Sequence, residues 1–361
     1  MADLAAESTL RAGLSAAVEV LRDKWDVPHI YAQNMDDLFF AQGFIHAQER
    51  LFQMDFQRRI AAGRLSEILG EVALPLDRWM RTLTLYRRAQ QEAASMSGKG
   101  AGIMESYVAR VNAFIACGVL PMEMRLLQYH PDAWSAADSF AWSKMMAWDL
   151  SVNWDTEIIR TQLVNRLGAE KAALLEPAYL DHWPVILQQT DKAVTTGVTA
   201  LKRAASARQF TGPRASDGLG SNNWVLSGNR TTSGKPFLAN DMHLGMGIPS
   251  LWYENHLVAE DYELGGISFA GIPGIMQGHN RWVAWGFTNV GPDVMDLYIE
   301  KVNPENPMQY EVNGQWVDFG KRTETIRVSG GEPVTACPRS PCAARSATSP
   351  CALTTLDRRP S

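Results

Sequence analysis

Cysteine is scarce in this chain and unevenly placed. Four occur in 361 residues. Cys117 stands alone in the body, whereas Cys337, Cys342 and Cys351 crowd into the last stretch. Their spacings match no common zinc pattern and no histidine lies near them, so neither a disulfide framework nor a zinc site is expected. Long basic runs are also missing and the formal net charge is −5, which argues against nucleic acid as a partner. No uninterrupted apolar segment is long enough to cross a bilayer, so no membrane partner is expected either. Residues 1–15 lack a basic region followed by an apolar one. As written, the chain reads as cytoplasmic; it reads as periplasmic if the true start lies further upstream. What is present is ordinary globular material. Hydrophobic residues make up 46%, enough for a sizeable core, and layered folds reach this length as one domain.

The first half reads mainly as helices. Val18 and Val20 alternate with Glu19, which predicts two short strands over 18–32, joined at Lys24-Trp25-Asp26 and with Pro28 at a strand start. His29 reads as a structural histidine, since no partner lies close in sequence. Residues 36–69 predict a long helix with Ala41, Ile45, Phe52, Phe56 and Ile60 on one face. Asp36 and Asp37 sit where a cap and first turn favour acids, Gly63 where the helix breaks, and Gly70 at a C-terminal cap. Arg58, Arg59 and Arg64 are expected on a solvated face. Helices continue through 77–130, and Pro131, Asp132 and Ser135 open a further one carrying Met145, Met146, Trp148 and Leu150. Glu157 then stands within an otherwise apolar helix. It is either an exposed acid or an oxygen ligand for a hard cation.

Composition changes over 190–219, where small and polar residues dominate, as in a linker. Beyond it the pattern is strands and turns. Gly220-Ser221-Asn222-Asn223-Trp224 opens a predicted hairpin that returns through Pro236–Asn240. Further strands are expected over 251–258 and 266–270. Asn313-Gly314 predicts a tight hairpin within 309–318.

Several short motifs together resemble the penicillin acylase (penicillin amidase) family of N-terminal-nucleophile hydrolases. They are Val-Glu-Val-Leu-Arg-Asp with Val-Pro-His-Ile (18–30), Gly-Arg-Leu-Ser-Glu-Ile-Leu-Gly (63–70) and Gly-Ser-Asn-Asn-Trp (220–224). Ala-Asn-Asp-Met-His-Leu (239–244), Gly-His-Asn (278–280) and Trp-Gly-Phe-Thr-Asn (285–289) follow in the family's order. Each is weak alone, and the ordered set is specific. Asp26 departs from the pattern, standing where the family often has glycine.

The resemblance implies an α+β fold, a four-layer αββα sandwich with two stacked antiparallel sheets. Residues 1–189 become the mainly helical first chain, 190–220 a spacer, and 221–330 the start of the second chain. It implies self-cleavage between Gly220 and Ser221, giving two chains assembled from one precursor. Freed Ser221 attacks an amide, and its own α-amine, with an unperturbed pKa of about 7.7–8.0, takes the proton. The backbone N–H of Asn289 serves as one oxyanion donor, and His243 supports the site by hydrogen bonding. Asn223 and Asn240 brace it on the same reading. Leu244, Met146 and Gln277 line the acyl pocket. Glu157, Asp293, the Met295 carbonyl and Asp296 match the family's calcium site; no organic cofactor is implied. The expected substrate is an N-acylated small molecule, such as a β-lactam or an acyl-homoserine lactone, in antibiotic-related metabolism.

Residues 331–361 lose apolar periodicity and gain Cys, Arg, Ser and Pro, which suggests a foreign or disordered tail. The family's second chain normally continues far beyond this point, with a further oxyanion asparagine, an arginine near the site and other calcium ligands. On this reading the chain is a truncated precursor with an open sheet edge. An inactive remnant of an acylase is the alternative. A third reading, metal hydrolysis by Asp241, His243, His256 and His279, lacks two histidines at helical ligand spacing.

Overall fold

A computed structural model describes residues 13–150, 154–175, 220–289, 300–320 and 322–336. The linker-like stretch 190–219 and the Cys-rich end from 337 lie outside these residues. Strands β1 (Glu19–Arg22) and β2 (Pro28–Ala32) form an antiparallel hairpin. Asp26 takes φ 65° in its turn, a left-handed backbone that Asp tolerates better than most residues. Asp23 steadies the loop by accepting the N–H groups of Trp25 and Val27 at 2.8 and 3.0 Å.

Helix α1 (Met35–Ala62) follows. Its cap is Asn34, not Asp36 or Asp37: the Asn34 side chain accepts the Asp37 N–H at 2.8 Å. Asp37 reaches outward and accepts both N–H groups of Ser15 and Ala16, at 2.9 Å each. Gly63 ends α1 at φ 63°. A β-carbon there would stand 2.7 Å from the Asp77 carbonyl, so both the turn and the close approach require glycine.

The solvated arginine face expected on α1 is corrected. Arg58 and Arg59 are each only 4% exposed, and both grip Asp55, which is 0% exposed. Each guanidinium Nε donates to one Asp55 oxygen at 2.8 Å. Arg58 continues to the Asp132 and Ala133 carbonyls, and Arg59 to Glu67. Periodicity alone could not show that the polar side of α1 faces other helices.

The helices that follow α1 are α2 (Ser66–Leu69), α3 (Leu74–Leu83), α4 (Leu85–Ser95), α5 (Gly98–Ala116), α6 (Met122–Leu126), α7 (Ala136–Leu150), α8 (Trp154–Leu167) and α9 (Ala169–Ala173). Asp77 ties the first two together by accepting the N–H groups of Leu65 and Ser66 at 2.8 and 2.7 Å. Helices α5 and α7 lie against α1, and α1 lies against the sheet. None of the described helices is long and apolar enough to cross a membrane.

Strands β5 (Trp252–Ala259), β6 (Tyr262–Phe269), β7 (Gln277–His279) and β8 (Ala284–Trp285) join the first hairpin in one sheet of order β1-β2-β5-β6-β7-β8. One pairing departs from the antiparallel expectation: β2 runs parallel to β5, His29 opposite His256 and Ala32 opposite Ala259. A parallel neighbour needs a crossover rather than a turn, and the helices and the start of the second half supply it. Strand β6 begins at Tyr262, ahead of the expected 266, because Gly265 and Gly266 hide its pattern. A β-carbon on Gly266 would sit 2.1 Å from the Gln277 carbonyl, so β7 approaches only because the position is bare. Beneath the sheet, Ile30, Leu38 and Leu257 are fully buried with Phe39, Ile45 and Tyr253. Each such aliphatic side chain contributes about 1.5–3 kcal/mol by leaving water.

A polar network crosses this core. Buried His46 of α1 contacts the Tyr107 hydroxyl through Nδ1 at 2.8 Å and the Ser268 hydroxyl through Nε2 at 3.2 Å. Tyr107 accepts the Gly271 N–H, so its own proton goes to His46 Nδ1. Ser268 donates to the Tyr253 carbonyl and accepts from Asn255. It therefore receives the Nε2 proton, and one neutral tautomer satisfies every group. Burial, reinforced by the Arg50 charge, pushes the His46 pKa down to about 3.

Among the described residues, the remaining strands make three two-stranded sheets. In β9 (Gln309–Val312) and β10 (Gln315–Asp318) the turn is Asn313-Gly314, both at positive φ, 51° and 78°, as a tight hairpin demands. Strand β12 (Val334–Ala336) pairs with β11 (Glu324–Ile326). The boundary drawn at 331 therefore falls inside a hairpin, whose short strands carry too few residues to show alternation. Strands β3 (Gly220–Leu226) and β4 (Phe237–His243) form the third pair. The architecture is mixed helix and sheet; its arrangement in four layers stays an expectation of the resemblance.

Candidate active site

Ser221 is the second residue of β3 and is half-buried. Its strand pairs with β4 in a regular antiparallel register, with Gly220 opposite His243, Ser221 opposite Met242, Asn222 opposite Asp241 and Asn223 opposite Asn240. Side chains alternate across such a ladder. Ser221, Asn223 and Asn240 therefore share one face, and Asn222, Asp241 and His243 share the other.

That alternation decides where His243 points. Its backbone lies beside Gly220, one step from Ser221. Its imidazole Nε2 contacts Asp241 Oδ2 at 2.9 Å and Asn222 Nδ2 at 3.5 Å. The structure thus groups His243 with an acid and an amide on the face opposite the serine side chain.

Asn240 makes a different set of contacts. Its Nδ2 donates to the Asn222 carbonyl and to the Phe287 carbonyl, each at 2.9 Å. Its Oδ1 accepts the Phe287 N–H at 2.7 Å. One amide side chain thus joins the strand of Ser221 to the segment that leads to Asn289. The Asn289 side chain in turn donates to the Leu150 carbonyl at the end of α7. Sequence reading named Asn240 without its partners, because Phe287 is 47 residues away.

Met146 is buried in the main apolar cluster, against which Leu244, Ile272 and Met276 pack. Two of the three expected acyl-pocket residues therefore meet in one cluster. Gln277 is buried at the start of β7, beside Met276, whose carbonyl accepts the Trp285 indole N–H at 2.8 Å.

Of the calcium candidates, only Glu157 lies among the described residues, on α8, where its carbonyl accepts the Thr161 hydroxyl at 2.7 Å. Asp293, Met295 and Asp296 lie outside them. Three carboxylates and a carbonyl form the hard-oxygen donor set that calcium prefers. The four residues of the metal-hydrolase reading divide between two sheets: Asp241 and His243 on β4, His256 on β5 and His279 on β7. Among the described residues no group of three or more His, Cys, Asp or Glu is placed to hold a metal. His256 instead meets His29, Nδ1 to Nδ1 at 3.1 Å. Its pKa is lowered by burial and then by that neighbour. The parallel β2–β5 ladder thus brings His29 a partner 227 residues away, and Asp23 stands 4.0 Å from its Nε2.

The family model for penicillin amidase matches residues 17–341. The chain belongs to the penicillin amidase family. An acyl-homoserine lactone acylase, QuiP of Pseudomonas aeruginosa, is 33% identical over 334 residues, covering 89% of this chain and 39% of that protein. The penicillin acylase 2 proenzyme of Pseudomonas sp. strain SE83 is 34% identical over 323 residues, covering 87% of this chain and 40% of that proenzyme. Penicillin G acylase of Escherichia coli is 26% identical over 373 residues, covering 88% and 44%. Among solved structures, a thermostable penicillin G acylase from Alcaligenes faecalis matches with a TM-score of 0.40 and 26% identity, covering 49% of this chain and 97% of that one. This penicillin amidase family chain spans about 40% of the length of the Pseudomonas relatives it matches.

Proposed function

We propose that the chain is the nucleophile-bearing part of an N-terminal-nucleophile acylase that hydrolyses the linear amide bond of an N-acylated small molecule. The reading rests on one observation. A serine directly preceded by glycine lies at the start of strand β3, within the segment matched to the family. The names of the relatives point to two substrate classes, acyl-homoserine lactones and penicillins.

In this reading the Gly220–Ser221 bond is cut, which converts an amide nitrogen into an α-amine able to accept a proton. Ser221 Oγ attacks the substrate carbonyl as its proton passes to that amine. The tetrahedral oxyanion takes a hydrogen bond from the Asn289 N–H. Collapse breaks the C–N bond, the amine leaves with the proton, and water then cleaves the acyl ester. Met146 and Leu244 give the acyl chain an apolar wall, with Gln277 nearby. His243 steadies the start of the hairpin through Asp241 and Asn222. Asp293, Asp296, Glu157 and the Met295 carbonyl would hold calcium, whose charge would offset their carboxylates.

Amino-terminal sequencing with intact-mass measurement tests the reading. The wild-type chain should yield a new terminus at Ser221, and Ser221→Ala should stay whole. Mature protein should release homoserine lactone or 6-aminopenicillanic acid from its N-acyl form. Cleavage persisting in Ser221→Ala would refute the nucleophile. An uncut wild type that hydrolyses neither substrate would identify an inactive remnant.

A further inference from the structure

We propose that Asn240 is a positioning residue, which locks the loop carrying Asn289 to the strand carrying Ser221 and so fixes the distance between nucleophile and oxyanion donor. The inference rests on the function proposed above and adds a specific device to it. The β3–β4 pair shares no backbone ladder with the six-stranded sheet among the described residues. The loop of Asn289 leaves that other sheet at β8, two residues before Phe287. Two parts of one site thus arise on separate sheets, and their relative placement needs a bridge.

The Asn240 side chain has the required form. It spends both amide protons on carbonyls, one on each side of the gap, at Asn222 and Phe287. Its oxygen takes the Phe287 N–H at 2.7 Å. Asn222 adjoins Ser221, and Phe287 is two residues from Asn289, so each anchor lies within one strand repeat of the group it positions. Paired acceptance and donation at Phe287 fixes rotation as well as distance, as one donor could not.

Gly286 completes the device. A β-carbon there would stand 2.4 Å from Asn240 Oδ1 and 2.8 Å from its Cβ and Cγ. Any larger residue would push the loop off the amide. The glycine of Trp-Gly-Phe-Thr-Asn is therefore explained by the asparagine of Ala-Asn-Asp-Met-His, a dependence across 46 positions that neither motif reveals alone. Aspartate in place of Asn240 keeps an acceptor for Phe287 N–H but loses both donors. It also sets a negative charge against two carbonyls, so it should not substitute.

The test uses hydrogen–deuterium exchange and kinetics on the whole chain and its variants. In wild type the Phe287 amide should be protected. In Asn240→Ala and Gly286→Ala that protection should fall, while amides of α1 and β5 keep theirs, which separates loss of the bridge from loss of the fold. In mature enzyme, Asn240→Ala and Asn240→Asp should lower kcat on the order of 100-fold with KM little changed, the cost of a displacement of about 1 Å at the reacting centre. Protection at Phe287 that survives in Asn240→Ala would overturn the bridge, whatever the activity. Wild-type kcat in Asn240→Asp would overturn the need for the donors. If wild type neither cuts itself nor hydrolyses substrate, the functional reading fails, and the exchange result alone still decides whether Asn240 holds the loop.

Discussion

Acid should weaken this fold through one imidazole, and the size of the effect follows from the His46 network. In the folded chain burial holds the His46 pKa down at about 3, against an ordinary value of 6.5. Above pH 6.5 His46 is neutral in both states and contributes no pH dependence. Below it the unfolded chain takes a proton that the folded chain refuses. Stability therefore falls as pH drops from 6.5 towards 3, by up to about 1.4 kcal/mol per unit. Between pH 7 and pH 5 the loss is about 2 kcal/mol, a large share of the roughly 5–15 kcal/mol that typically holds a domain. Urea unfolding followed by tryptophan fluorescence at both pH values measures it. His46→Gln supplies the control, since its amide can accept from Tyr107 and donate to Ser268 but does not titrate. The variant should lose about 2 kcal/mol less than wild type over the same pH step. Burial raises the Asp77 carboxyl and lowers the His256 imidazole, but both act alike in the two proteins and cancel in the comparison. Equal losses in wild type and His46→Gln would refute the assignment of His46 as the buried neutral group.

Asp55→Ala should cost about 3–5 kcal/mol, because it removes the buried carboxylate that both Arg58 and Arg59 grip; an unchanged thermal midpoint would contradict the network. Gly278→Ala should destabilise by at least about 1–3 kcal/mol, since its β-carbon would meet the Gly265 carbonyl at 2.1 Å. Gly100→Ala provides the contrast. It lies within α5 with nothing within 4 Å of a new β-carbon, so it should raise stability by about 0.5–1 kcal/mol in the same melts.

Much of the fold was legible because its signals are local. The strands at 18–32, the break at Gly63 and the Asn313-Gly314 turn each follow from a few neighbouring residues and formed where expected, whereas the helix expected over 36–69 divides there into α1 and α2. The start of β6 was hidden because Gly265 and Gly266 have no side chains to show a period. The cap at Asn34 was missed because its acidic neighbours also suit a helix start, and only the backbone shows which residue turns the chain.

The candidate site divides the same way. Residue type and motif order determined that Ser221, with a glycine before it, is the group to examine, and the same order carried the family. The family resemblance named Met146 and Leu244 as acyl-pocket residues, and the structure places one in an apolar cluster and the other against it. Only the tertiary structure decided which groups meet. It turned Arg58 and Arg59 inward, paired His29 with His256, set His243 on the face away from the serine, and used Asn240 to hold Phe287. Each of these depends on a contact between residues far apart in the chain or on a one-residue choice of strand register. A hydrogen bond is fixed to tenths of an ångström, whereas a sequence pattern states only which faces are apolar. The opening of β3 could therefore be found by reading, but its neighbours had to be placed by folding.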